Sequence, residues 1–361
     1  MLIVDAHQDI AMHAVSNDRD YREHPLVKRK REAGSDVQQK QGSTMLGLPD
    51  ALIGHIGVVF STLFTEPERI SQKIGKSLSQ LTYSTPAQAY TLAMRQLDYY
   101  HRLADETAQI RLIERQSDLD AVLATWDDDK TLIDRVQGLV ILMENADPII
   151  EPKQFEEWYE RGVRIVGPAW AGTRYSGGTR EPGGLTSLGE ELLEIMAAFN
   201  AILDLSHMAE EAYFQALEQY QGQAIIASHS NPRKFANTDR HLSDEMIRRL
   251  AERDGVIGIV PYNRFLSDDW RAGDPKSKVP LTVVIDAIDH VCQVTGSVAH
   301  VGIGTDFDGG FGAESTPEGL DFSSDLSKVA DGLKTHGFTP DDIETIMSGN
   351  MLRKLRQALP V

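Results

Sequence analysis

The stretch "IVDAHQDIAMHA", residues 3–14, runs from short apolar sequence into a histidine and an aspartate two positions apart. If residues 2–7 form a strand, side chains at i and i+2 share a face, so His7 and Asp9 are aimed at one point. Alone, the H-x-D pair is an ordinary feature of a loop mouth. It becomes informative only if other strands deliver ligand-type side chains to the same place.

Seven further runs of the same kind follow: "HIGVVFSTLF" (55–64), "GLVILMEN" (138–145), "VRIVGPA" (163–169), "AILDLSH" (201–207), "AIIASH" (224–229), "GVIGIVPY" (255–262) and "HVGIGTD" (300–306). Their near-continuous apolar character suits strands covered on both faces, as in a parallel sheet. Amphipathic segments at 186–199, 209–219, 243–253 and 281–295 separate the later runs. Eight alternating units predict an α/β fold, a closed (β/α)8 TIM barrel. With no Gly/Ser-rich or Pro-rich linker, residues 1–361 read as a single barrel domain.

Two excursions lengthen it. Residues 14–52, with "VKRKRE" at 27–32, read as a lid-like insertion after the first strand, the basic run being a solvated helix face. Residues 65–135 read as a helical insertion between the second and third strands. There Thr85-Pro86 forms a helix start, and Tyr90, Met94, Leu97 and His101 follow at helical spacing as packing residues.

The formal charge of -18 argues against nucleic acid or an anionic membrane as partner. The single cysteine, Cys292, excludes an intrachain disulfide and suits a reducing compartment. The N-terminus lacks a basic region followed by an apolar one, and no apolar run is long enough to span a bilayer. The expectation is a cytoplasmic protein acting on a small molecule. Homo-oligomerisation is compatible with it.

A (β/α)8 barrel carries its active site at the carboxyl ends of its strands. Here strand 1 ends in His7 and Asp9, strand 3 in Glu144, strand 5 in His207, strand 6 in His229 and strand 8 in Asp306. Each has a plain alternative as a helix cap, an ion-pair partner or a turn residue. Together on one rim they point to metal. Three imidazoles and two or three carboxylates exceed what one tetrahedral zinc uses. A bridging carboxylate, for which Glu144 is the candidate, holds two ions roughly 3.5–4 Å apart. The expectation is two divalent ions per chain, zinc by preference, with Asp306 as proton shuttle. Asp5 and Asp204 are candidates to orient a ligand imidazole.

The set "VDAHQD", "MEN", "LDLSH", "ASHS", "DRHLSDE" and "VGIGTDFDGG" resembles the renal or membrane dipeptidase family, binuclear zinc peptidases of the amidohydrolase-type barrels. The similarity extends from residue 3 to "SGNMLRKL" (348–355). It implies His7 and Asp9 on one zinc, His207 and His229 on the other, and Glu144 bridging. It implies Asp306 as the acidic catalytic residue, Arg240 of "DRHLSD" as the group that binds the substrate carboxylate, and Tyr262 of "VPYN" in the substrate pocket. One departure stands out. Strand 4 in the family typically ends "TLTH", whose histidine helps stabilise the tetrahedral intermediate; here "VGPAWAGTRYSGG" places Trp170 at that position. Arg174 either supplies charge to the same space or lies on the surface. The chain also lacks the strand-4 lysine that many binuclear amidohydrolases carbamylate, which favours the Glu144 bridge.

The functional expectation is a metal-dependent hydrolase that cleaves the amide of a dipeptide or close analogue through a metal-bridging hydroxide. Hydrolysis of another small amide or lactone, such as an N-acyl amino acid, is the alternative on the same metals. A catalytically silent ligand-binding barrel is a third reading, and the retention of every ligand argues against it.

Overall fold

The computed structural model describes residues 1–74, 80–127 and 129–361. Eight parallel strands form its centre: β1 (Ile3–Gln8), β2 (Ile56–Leu63), β3 (Gln137–Met143), β4 (Val163–Val166), β5 (Ile202–Asp204), β6 (Ile225–Ala227), β7 (Val256–Ile259) and β8 (Val301–Ile303). Each pairs with its sequence neighbours, and β1 pairs with β8 at Asp5 and Ile303, which closes the barrel. All eight fall on the apolar runs read from the sequence, with β1 ending one residue past its run and β3 starting one residue before its own. A short strand, Ile110–Leu112, adds beside the start of β3.

The apolar runs are continuous because both strand faces are buried. Along β3, Leu139, Ile141 and Met143 belong to the cluster that packs on the surrounding helices, with Leu97, Leu250 and Val291. Val140 and Leu142 belong instead to a cluster with Val4, Phe60, Ile226 and Val256. Met351 and Leu355 of the helix Asn350–Ala358 complete that second cluster. This helix touches β1, β5, β7 and β8. It also binds residues just ahead of the strands: Asn200 donates to the carbonyl of Gln357, and Lys354 pairs with Asp254. It therefore covers the amino end of the barrel and leaves the carboxyl end open.

The 14–52 excursion holds three short helices beyond the one that begins it: Pro25–Glu32, Asp36–Gln41 and Leu48–Ile53. The basic run is less solvated than its composition suggests. Lys28 is buried and donates to the carbonyl of Asp20, and buried Glu32 receives Arg19 through three hydrogen bonds. In the 65–135 excursion the helix Pro86–Glu106 starts as expected, with a Thr85–Gln88 capping box. Met94 and Leu97 pack inward, while Tyr90 and His101 bind Glu157 and the carbonyl of Arg161. Residues 75–79 and 128 of that excursion lie outside the described residues.

Three strands crowd one backbone group. A Cβ on Gly258 or Gly304 would lie 1.9 Å or 1.8 Å from the carbonyl oxygen of Ser228. That oxygen is main chain and has no rotamer by which to retreat. Gly304→Ala should therefore cost about 1–3 kcal/mol of stability through overpacking, read as a lower calorimetric unfolding midpoint. An unchanged midpoint would show that the barrel relaxes there without strain.

Candidate metal centre and substrate cavity

Six side chains meet at the carboxyl end. His7 Nε2 lies 3.9 Å from Asp9 Oδ2, 3.8 Å from Glu144 Oε2 and 3.9 Å from Asp306 Oδ1. Glu144 Oε1 faces the other way, 3.3 Å from His207 Nε2 and 3.5 Å from His229 Nε2. Three overlapping triads follow, each with donor atoms within 4.8 Å of one another: His7/Asp9/Glu144, Glu144/His207/His229 and His7/His229/Asp306.

Simple strand alternation does not produce this convergence. β1 ends at Gln8 and its register against β2 shifts after Asp5, while Asp9 occupies the cap position of the helix Ile10–Asn17. Its carboxylate makes no cap bond there and instead accepts from Thr62 Oγ1 at 2.6 Å. His207 and Asp306 sit in the left-handed region, at φ 66° and 56°. Non-glycine residues adopt that conformation at a cost, and it collects at functional sites.

Burial dominates the electrostatics. It pushes Asp9 up to about 7, helped by the charge of Asp308. It raises Glu144 and Asp306 well above the carboxylate range, with Asp9 the next contributor to both. Burial lowers all three imidazoles, with Arg240 next for His7 and His207, and His7 next for His229. Three carboxylates thus crowd one another beside three imidazoles, and burial disfavours the charged form of every one of them. His7 Nε2 is buried with no hydrogen-bond partner among the described residues. The ring nitrogens of His207 and His229 face each other at 2.9 Å. Divalent cations fit this donor set. They would give the orphaned nitrogens a partner and offset the buried negative charge.

Outer contacts orient the rings. Asp204 accepts the Ser228 hydroxyl at 2.5 Å, and Ser228 Oγ lies 2.8 Å from His229 Nδ1 and 3.4 Å from His7 Nδ1. Thr179 Oγ1 lies 3.2 Å from His207 Nδ1. Asp204 thus reaches an imidazole through Ser228. Asp5 reaches none: it accepts from Gln8, from the His7 backbone and from the Thr305 backbone and hydroxyl, tying β1 to the loop after β8. Ser228 and Thr179 gave no signal in the sequence, because a serine beside a histidine and a threonine in a glycine-rich stretch are commonplace.

A cavity of about 440 Å³ opens over the cluster. Met12, Phe64, Trp170 and Ala171 make an apolar wall, on which Trp170 packs edge-on to Phe64 with ring centroids 5.3 Å apart and lies 6.1 Å from His207. Tyr262 and Phe311 stack at 4.2 Å on another side. Arg240 reaches in from beside them, donating to Ser230 Oγ at 3.2 Å and to the carbonyl of His229 at 2.5 Å.

Two expectations are corrected. Arg174 does not line the cavity. Its guanidinium donates to the carbonyls of Ile149 and Ile150 at 2.8 and 2.9 Å and pairs with Asp147, so it staples the loop after β3. Nor does the 14–52 excursion line the cavity among the described residues. It packs instead on the loop after β8, where Thr44 Oγ1 and the Met45 backbone bind Asp308. These contacts brace that loop from outside the barrel.

A profile of the membrane dipeptidase family, peptidase family M19, matches residues 1–360. The chain belongs to that family. A Klebsiella pneumoniae protein known only from its place in the pqqA 5' region is 29% identical over 65% of the chain and 87% of its own length. An uncharacterised dipeptidase of Schizosaccharomyces pombe is 27% identical over 83% of the chain and 70% of its own. The same fold occurs in a Rhodobacter sphaeroides metallopeptidase crystallised with a phosphinate mimic of L-Ala-D-Ala. That structure aligns at TM-score 0.80 and 20% identity over 99% of both chains.

The Ser228 hydroxyl provides a test of this centre. Ser228→Ala cuts the link from Asp204 to His229, and losing such an outer contact typically costs about 10–100-fold in metal affinity. Competition with a chelator should show that loss while far-ultraviolet dichroism stays unchanged. Undiminished affinity would mean that the link does not orient the ring.

Proposed function

We propose that this chain hydrolyses the amide bond of dipeptides with two divalent ions, zinc by preference, held on either side of Glu144. The supporting observation is that carboxylate: one oxygen turns to His7, the other to His207 and His229. His7 and Asp9 would hold one ion, His207 and His229 the other, with Glu144 common to both. Such ions when bound lower the pKa of a water and polarise the scissile carbonyl.

The remaining steps fall to side chains. Asp306 faces the cavity beside His7, and burial raises its proton affinity. A carboxylate so placed accepts a proton from the attacking water and returns it to the departing amine. Arg240 presents a buried guanidinium whose Nε has no partner among the described residues, suited to the substrate's α-carboxylate. Tyr262, on the aromatic side, packs against the substrate. Trp170 closes the opposite wall, where its indole offers apolar surface and a neutral donor but no charge.

We read residues 1–361 as one catalytic unit. We place it in the cytoplasm, a location supported by its lone, half-buried Cys292. Among the described residues no helix is long and apolar enough to cross a membrane.

Asp306→Asn separates chemistry from binding. On metal-replete protein with a panel of dipeptides, kcat should fall roughly 10²–10⁴-fold with metal content retained. Arg240→Ala should instead raise KM for substrates with a free α-carboxylate and spare those with a blocked one. A wild-type protein that turns over no dipeptide, or an Asp306→Asn variant at full speed, would overturn the reading.

A further inference from the structure

Three guanidinium groups line the cavity, and two of them already make hydrogen bonds to the protein. Arg240 is bound to Ser230 and His229 and lies against the Phe265 ring at 5.3 Å. Arg264 Nη1 donates to the carbonyls of Asp268 and Trp270 at 3.2 and 3.1 Å. The third, Arg180, is exposed, and its guanidinium meets no hydrogen-bond or ion-pair partner among the described residues.

Its backbone, by contrast, is held firmly. Ser176–Gly178 and Glu181–Leu185 form an antiparallel hairpin in which Gly178 pairs with Glu181, leaving Thr179 and Arg180 as the two-residue tip. Gly178 also bridges to Met208, and Thr179 Oγ1 contacts His207. The Arg180 N–H donates to Asp239 Oδ2 at 2.7 Å. Arg180 adopts φ 66°, a turn position that glycine or asparagine ordinarily fills. The same hairpin spends glycines at 177, 178, 183 and 184, yet the left-handed position carries an arginine. Backbone strain accepted at a cavity rim, under a side chain with free donors, is the pattern of a ligand-facing residue.

We propose that Arg180 is a specificity-determining residue that pairs with a second carboxylate on the substrate, so that dipeptides ending in aspartate or glutamate are preferred. The inference rests on the dipeptidase reading and deepens it. The end of the substrate follows from position. Asp239, which anchors the Arg180 backbone, is the immediate neighbour of Arg240, so the two arginines serve one end of the cavity. An acidic C-terminal residue carries its α-carboxylate and side-chain carboxylate a few carbon atoms apart, and two arginines lining one cavity can take one each. The acids nearby are each bound by a backbone N–H but keep their charge, which limits the attraction. Asp239 accepts the Arg180 N–H through one oxygen, and Asp268 accepts from the Asn237 N–H at 3.3 Å. A neutral side chain would leave Arg180 in water at no loss, so the selection works by attraction and stays modest for an exposed pair.

The test compares Ala-Glu with its neutral isostere Ala-Gln in wild type, Arg180→Gln and Arg180→Lys, at low and high salt. Wild type should favour Ala-Glu by about two- to fivefold in kcat/KM, chiefly through KM, and added salt should shrink the ratio. Arg180→Gln should bring the ratio near one, and Arg180→Lys should restore part of it. Calorimetric binding of the phosphinate analogues of both dipeptides to the metal-loaded protein should give the same ranking without turnover. That arm still decides the role of Arg180 if neither dipeptide is hydrolysed, a result that would count against the dipeptidase reading. A wild-type ratio near one, a ratio that survives Arg180→Gln, or a preference confined to Glu-Ala over Gln-Ala would overturn the proposal.

Discussion

Three carboxylates and three imidazoles turned on one another at the floor of a cavity form a cluster that cannot satisfy itself. The carboxylates repel, and each ring nitrogen that faces the cluster wants either a proton or a cation. Burial without compensation is costly for ionised groups, and protonation is the usual escape. Cations are the other escape, and they preserve the charged state that chemistry requires. The barrel enforces this crowding: eight short strands, closed on themselves and covered at their amino end by the helix Asn350–Ala358, bring side chains from distant parts of the sequence to one small rim.

The surrounding polar framework makes sense as a way of holding such a cluster still. Buried acids that are not in the cluster are spent on geometry. Asp5 fastens the loop after β8 to β1, and Asp204 sets the Ser228 hydroxyl against His229. Asp308 is gripped from outside the barrel by Thr44 and Met45, with the Arg19 guanidinium 3.7 Å away. Because Asp306 and Asp308 share one turn, the excursion after β1 braces the loop that carries Asp306.

The barrel was legible in the sequence because strands buried on both faces leave long apolar runs, and the cluster because histidines and acids at strand ends break those runs conspicuously. What stayed hidden depended on direction rather than composition. Arg174 and Arg180 stand six residues apart in one glycine-rich stretch, and nothing local says which faces the cavity. The answer depends on a hairpin whose strands, "SGG" and "EPGGL", carry little strand propensity and read as loop. Lys28 and Glu32 looked solvated for a similar reason: they turn toward the Asp20 carbonyl and Arg19, in the segment ahead of their own helix. Asp9 reached the cluster, but from a helix cap beyond the strand rather than by the alternation of the strand itself.

The central claim is that Glu144 is shared between two ions. X-ray absorption at the metal edge, together with elemental analysis of gently purified protein, tests it directly. Two ions per chain with a metal–metal vector of roughly 3.5–4 Å are expected, and Glu144→Ala should abolish the vector and lower the metal content. A single tightly bound ion with no such vector, in fully active protein, would contradict the account.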